Sequence, residues 1–212
     1  MIEWRHSHNL VDYEDAVTQM HQRALDIYSG NAPELVWLLE HPPLITTGAR
    51  TDPEHLRPHI PFPTYTTGRG GEATYHGPGQ RVIYLQLNLK HRGQDVRKFV
   101  HNLESWLIAS LALLQVTAVQ RPGRIGLWIP TRAPEAKIAA IGIRVQKWVT
   151  LHGASLNVAP DLSHFNYITP CGLQNYGVTS LADLGLNTSL ETVDDALETT
   201  FPKYFVTEKP DT

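Results

Sequence analysis

Cysteine is almost missing from this chain: its 212 residues hold one, Cys171. A lone cysteine forms no internal disulfide and leaves a structural zinc short of its usual three or four ligands. Neither sign of charge dominates. Eighteen basic residues face 21 acidic ones, for a net charge of −3. No overall field therefore draws the chain to nucleic acid or to an anionic membrane. No apolar run approaches the ~18 residues of a membrane span. The first ten residues, MIEWRHSHNL, have neither the apolar centre of a signal peptide nor the Arg/Ser richness of a transit peptide. Low-complexity tracts and internal repeats are also missing. These absences predict a cytoplasmic protein. With 42% hydrophobic and 18% charged residues, the chain is able to bury a sizeable core. No linker interrupts it, so a single domain over residues 1–212 is expected, with 205–212 as a frayed tail.

Periodicity supplies the elements. Asp12 caps an expected first helix in which Val17, Met20, Ala24, Ile27 and Tyr28 recur at helical spacing. ELVWLLE (34–40) reads as a buried strand ended by two prolines, and LITTG as another. Residues 50–63 read as loop, and TYTTG leads into a glycine-rich segment. VIYLQLNL (82–89) alternates like a strand. The clearest helix spans 95–115, with Phe99, Leu103, Leu107, Leu111 and Leu114 as its stripe. Two short strands follow at 117–121 and 126–129. Residues 137–158 read as a hairpin whose turn lacks the usual Gly or Asn. A last helix is expected from Thr188, with Glu191 placed for a capping box. Successive strands joined by short turns, with few long helices, predict an α+β fold. Its sheet is mixed and mostly antiparallel, with helices on one face.

Three features bear on chemistry. RGGEATYHGPGQ (69–80) packs four glycines, an arginine and a histidine into twelve residues. Glycine lets a ligand approach main-chain N–H groups closely, although most such stretches are surface turns. The segment is neither a Walker loop nor a dinucleotide fingerprint. Lys137 heads the apolar run IAAIGI. There it either loses water from its ammonium or snorkels to solvent, the commoner outcome. Cys171 stands between Pro170 and Gly172. A free cysteine is more often a buried structural residue than a nucleophile. The histidines are scattered, His6 and His8 without a third ligand, which argues against metal. A Cys–His pair of Cys171 with His76 or His152 stays open.

RGGEATYHGPGQ, KIAAIGIRV, HGASLNV, PDLSHFNYITPCGL and GVTSL, taken in order, resemble the signature segments of the lipoate-protein ligase B family. These are octanoyl-[acyl-carrier-protein]:protein N-octanoyltransferases. The resemblance runs from about residue 35 to 182. It implies a mixed sheet flanked by helices, as in biotin protein ligase and lipoate ligase catalytic domains. It also implies a reaction needing no cofactor and no metal. An octanoyl or lipoyl group moves from acyl carrier protein, through a cysteine thioester, to one lysine of a lipoyl domain or of the glycine-cleavage H protein. By the same resemblance, Cys171 is the nucleophile and Lys137 the second catalytic residue. The acyl pocket maps to Arg69, Gly70, Gly71, Glu72, Ala73, Thr74, Tyr75 and His76, to Ala140, Ile141 and Gly142, and to Gly153, Ala154 and Ser155. The family pattern leans to a monomer.

The chemistry is consistent with this. A thioester donor makes attack by a thiolate energetically even, but a free thiol with pKa near ~8.5 is mostly protonated at neutral pH. A lysine beside it would hold the thiolate as an ion pair, and the two would titrate together. Acyl carrier protein is acidic, so Arg81, Lys90, Arg92, Arg97, Lys98, Arg144 and Lys147 are candidates for its landing surface. The second reading is an ATP-dependent lipoate or biotin protein ligase of the same fold. Against it, the Gly/Arg run of biotin ligases is missing and HGPGQ differs from the HDxGN loop of lipoate ligases.

Overall fold

The computed structural model describes residues 2–169 and 176–205, so Cys171 and residues 206–212 lie outside the described residues; Phe205, expected to begin the frayed tail, is instead helical and buried in the core. The chain opens with strand β1 (Ile2–Leu10) and helix α1 (Tyr13–Ser29), then β2 (Glu34–Glu40), β3 (Leu44–Thr47), β4 (Thr64–Thr66), β5 (Thr74–His76) and β6 (Gln80–Gln86). Helix α2 (Val96–Leu113) precedes β7 (Val119–Arg121), β8 (Arg124–Ile129), β9 (Ala136–Gln146) and β10 (Val149–Asn157). The short β11 (Gly177–Val178) and helices α3 (Leu190–Thr200) and α4 (Pro202–Phe205) complete it.

The main sheet runs β1-β2-β6-β10-β9-β8-β7. All its neighbours are antiparallel except β1 with β2, and β11 joins β9 in parallel. A smaller sheet, β4-β3-β5, stands beside it. The mixed, mostly antiparallel α+β expectation thus holds.

Strand alternation divides the core. Val36, Leu38, Ile83 and Leu85 pack with α2, α3 and α4, while Leu35, Trp37, Leu39, Val82 and Tyr84 pack with α1. Helices therefore cover both faces, not one. A strand buried on both sides reads as a continuous apolar run, which is how ELVWLLE reads. Among the described residues, no helix is long and apolar enough to cross a membrane.

Local chemistry sets the ends. Asp12 Oδ1 accepts from the backbone N–H of Glu14 (2.9 Å) and Asp15 (3.2 Å), and Gly30 closes α1 in the left-handed conformation. Tyr28 is exposed instead of joining the buried stripe. The caps of α3 shift by one residue: Ser189, not Thr188, accepts from Thr192 N–H. The hairpin turn at Lys147–Trp148 takes positive φ at both residues, 51° and 65°. That is the pattern of a two-residue primed turn, built here without glycine. It fixes Gln146 opposite Val149.

Candidate functional site

The glycine-rich segment is tied down on two sides. Gly70 N–H donates to the Ile143 carbonyl of β9 at 2.9 Å, and Ala49 N–H and Arg50 N–H donate to the carbonyls of Arg69 and Gly71. Arg69 is buried, and its Nη2 donates to the Thr46 carbonyl (2.9 Å) and to Thr46 Oγ1 (2.8 Å). So close an approach needs a bare strand opposite. A Cβ on Gly142 would stand 2.8 Å from the Gly70 carbonyl oxygen and 3.0 Å from Arg69 Cδ. Gly153, its cross-strand neighbour, leaves room in the same way for the Ile83 carbonyl of β6.

Between this segment, the β9–β10 ribbon and the start of α2 lies a cavity of about 610 Å³, a size suited to a small-molecule ligand. Residues 69–74 and His76 line it, as do Lys137, residues 140–142 and residues 153–155. Tyr75 does not. Its ring turns into a separate cluster with Phe62 and Phe165, and its hydroxyl lies 2.8 Å from His164 Nδ1. Successive strand residues face opposite sides, so His76 facing the cavity sends Tyr75 away from it.

His76 and His152 line this cavity, and His41 lies behind it against Tyr84 and His76. Burial lowers His76 to about 3, helped by neighbouring cations, and lowers His152 to about 3 and His41 to about 4. The hydrogen bonds fix which nitrogen of His76 carries its proton. Gln80 Nε2 donates to the Tyr75 carbonyl (3.1 Å) and to Asn157 Oδ1 (2.9 Å). Its oxygen is then left to accept from His76 Nδ1 at 2.7 Å. Nε2 of His76 faces Thr46 Oγ1 at 3.3 Å, and that hydroxyl already accepts from Arg69. Thr46 therefore donates to Nε2. Asn157 Nδ2 continues the chain to the Thr179 carbonyl at 3.0 Å. Both ring nitrogens of His76 are committed, which argues against its acting as base for a thiol. The sequence displayed His76 and Gln80 in HGPGQ but not Thr46, which pairs with His76, or Asn157, which pairs with Gln80, both from other strands.

Tyr84 also faces the cavity, with its hydroxyl 2.8 Å from His41 Nε2. The Val11 carbonyl accepts from Nδ1 at 2.7 Å, so Nε2 accepts from the tyrosine. Burial holds the Tyr84 phenol well above its ordinary range.

Lys137 does not snorkel out: it is 5% exposed. Its Nζ donates to the Ile125 carbonyl at 3.1 Å and lies 4.8 Å from the centre of the Trp128 ring. β8 flanks it through Trp128 and β11 through Val178. β11 is also where the described chain resumes after the Cys171 segment. On the other side of that segment, Thr169 N–H donates to the His55 carbonyl at 2.8 Å.

Two of the surface candidates are engaged elsewhere. Arg81 is buried, with Nε 2.9 Å from Asp194 Oδ1 and Nη2 donating to Oδ2 at 3.1 Å. Arg92 is held against the Glu34 carboxylate. Arg97, Lys98, Arg144, Lys90 and Lys147 are exposed, the last two with ammoniums over the Tyr28 ring. His6 lies between Asp194 (3.3 Å) and Glu198 (2.8 Å) on α3. Among the described residues no cluster could hold a metal ion.

Known proteins are similar to this chain in sequence and in fold. The model of the lipoyl protein ligase A/B catalytic domain matches residues 12–202. An octanoyltransferase of Paramagnetospirillum magneticum is 56% identical over 205 residues, spanning 96% of this chain and 97% of its own. The bipartite lipoate protein ligase of Thermoplasma acidophilum superposes with a TM-score of 0.69 at 17% identity, covering all of this chain and 87% of that one. The biotin protein ligase of Aquifex aeolicus superposes at 0.54 and 9% identity, over 96% and 67%. At those identities the two structures show a shared fold. With the family model spanning most of its length and a full-length relative at more than half identity, the chain belongs to the lipoyl protein ligase A/B catalytic domain family.

Proposed function

We propose that this protein is an octanoyltransferase acting in protein lipoylation, with Cys171 carrying the acyl group and Lys137 handling the proton. The observation that carries the reading is the setting of Lys137. It is a buried lysine in the lining of a glycine- and alanine-rich cavity, and its strand pairs with β11, the first strand after residues 170–175, which hold Cys171. The full-length relative named octanoyltransferase supports it.

The cycle closes without an added base. The Lys137 ammonium holds the Cys171 thiolate as an ion pair. The thiolate attacks the octanoyl thioester of acyl carrier protein. The new Cys–acyl bond forms, the carrier's C–S bond breaks, and the leaving thiolate takes a proton from Lys137. The neutral amine of the acceptor lysine then attacks the enzyme thioester and passes a proton to the Lys137 amine. Amide and cysteine thiolate result, and the ion pair is restored. Burying six methylenes of an octanoyl chain contributes about 5 kcal/mol to binding.

The donor is octanoyl-acyl carrier protein, received over the exposed Arg97, Lys98 and Arg144. The acceptors are lipoyl domains and the glycine-cleavage H protein. The enzyme acts as a single-domain monomer in a reducing cytoplasm.

Intact-mass measurement after incubation with octanoyl-acyl carrier protein tests this. A hydroxylamine-sensitive octanoyl adduct is expected on the wild type and not on Cys171→Ser. Acylation that requires ATP, or an adduct that survives in Cys171→Ser, refutes it.

A further inference from the structure

Helix α2 turns one charged side chain inward. Glu104 is buried, with Phe99, Leu103, Trp106 and Leu107 as the other large buried side chains of the helix near it in sequence, an expensive setting for a carboxylate. A backbone group holds it: Gly126 N–H donates to Glu104 Oε1 at 3.0 Å. The carbonyl of that same peptide is Ile125 O, which accepts from Lys137 Nζ at 3.1 Å. A single peptide group thus has a carboxylate on its N–H and an ammonium on its C=O. Both hydrogen bonds are charge-assisted, and each polarises the peptide in the sense that strengthens the other.

The peptide is shaped for this task. Gly126 takes φ 113°, in the region that favours glycine, and a Cβ there would stand 2.6 Å from the Ala139 carbonyl oxygen and 3.3 Å from Lys137 Cε. Residues 123–125 line the same cavity as Lys137, so the bridged peptide is part of its wall. Burial raises the Glu104 carboxyl, while the Gly126 hydrogen bond and the charges of His101 and Lys137 draw it back down.

We propose that Glu104 is a positioning residue for Lys137, acting through the Ile125–Gly126 peptide to fix the ammonium in the cavity wall. This rests on Lys137 being the proton-handling residue. Glu104 touches neither substrate nor the reacting atoms in this scheme.

The test is a double-mutant cycle on octanoyl transfer from octanoyl-acyl carrier protein to a lipoyl domain, using Glu104→Gln, Lys137→Ala and the double variant. Glutamine keeps the shape and an acceptor oxygen for Gly126 N–H but removes the charge. In Glu104→Gln, kcat is expected to fall about tenfold, with KM for the donor within about twofold. The Gly126 amide proton is expected to move upfield in NMR. On the Lys137→Ala background, Glu104→Gln is expected to cost nothing further, because the group it positions is gone. Wild-type kcat in Glu104→Gln, together with a large loss in Lys137→Ala, overturns the inference and leaves the role of Lys137 standing. A loss that persists on the Lys137→Ala background, or a KM that rises with the loss, also overturns it. Wild-type kcat in Lys137→Ala instead removes the reading on which the inference rests.

Discussion

Gly142 and Gly70 face each other across the cavity wall and respond differently to a methyl group. In Gly142→Ala, the new Cβ would lie 2.8 Å from the Gly70 carbonyl oxygen and 3.0 Å from Arg69 Cδ. Backbone, not a flexible side-chain end, blocks it. The glycine-rich segment must lift from β9, which strains or breaks the bond from Gly70 N–H to the Ile143 carbonyl. Overpacking of this kind costs about 2 kcal/mol, and the lost hydrogen bond about 1 kcal/mol more. Restricting the unfolded chain returns about 0.7 kcal/mol. The net is about 2 kcal/mol, or a fall in Tm of roughly 4–8 °C for a chain of this size. The reverse change, Gly70→Ala, meets only the Ile143 carbonyl oxygen at 3.5 Å, an ordinary contact, and Gly70 is not in the left-handed region. That variant should melt with the wild type or slightly above it. Thermal melts of the two variants side by side decide the matter, with KM for octanoyl-acyl carrier protein rising only in Gly142→Ala. Equal melting of both variants would refute the close-approach argument.

Two further outcomes concern stability. Asp194→Ala leaves Arg81 buried without its carboxylate and should cost about 3–5 kcal/mol, whereas Arg81→Met with Asp194→Leu should recover most of it; urea midpoints measure both, and a mild loss in the single variant contradicts the pairing. Acid should also destabilise the fold. His41, His76 and His152 have folded pKa values of about 4, 3 and 3, below the ordinary ~6.5, so the unfolded chain binds protons that the native state refuses. Their contribution is full above pH ~6.5 and is lost as pH falls, by at most about 3 kcal/mol between pH 6.5 and 5.5 for three such groups. Glu104 and Asp194, whose carboxyls burial raises, offset part of that. A urea midpoint that does not move over this interval would show that the histidines are solvated.

Most elements were legible because their signals are local. Asp12 with Gly30 marked α1, and the stripe from Phe99 to Leu111 marked α2. β1 was not legible. Its residues IEWRHSHNL are mostly polar, and a half-covered edge strand paired on one side shows little apolar alternation. The one-face expectation for the helices failed for a related reason. Which face a helix covers is decided by strand order, and β6 lies between β2 and β10 only in three dimensions.

The site divides along the same line. The glycine-rich segment stood out as a run of unusual residues, whereas Lys137 and the two facing glycine strands were picked out through the family resemblance, the commoner fate of such a lysine being to reach solvent. Tyr75 was misassigned because a run does not declare which of its members face inward, and β5 alternates within it. Glu104 and Asn157 were invisible because each looks ordinary among its own neighbours. Glu104 stands one residue after Leu103 in an amphipathic helix, and its hydrogen bond comes from a glycine on another strand. The peptide it holds then holds Lys137. A polar residue's function is therefore hardest to read where its partner is a backbone group, since any residue type supplies one. Gly126 is the exception that sequence does show, because its positive φ favours glycine even though its N–H and its neighbour's C=O could belong to anything.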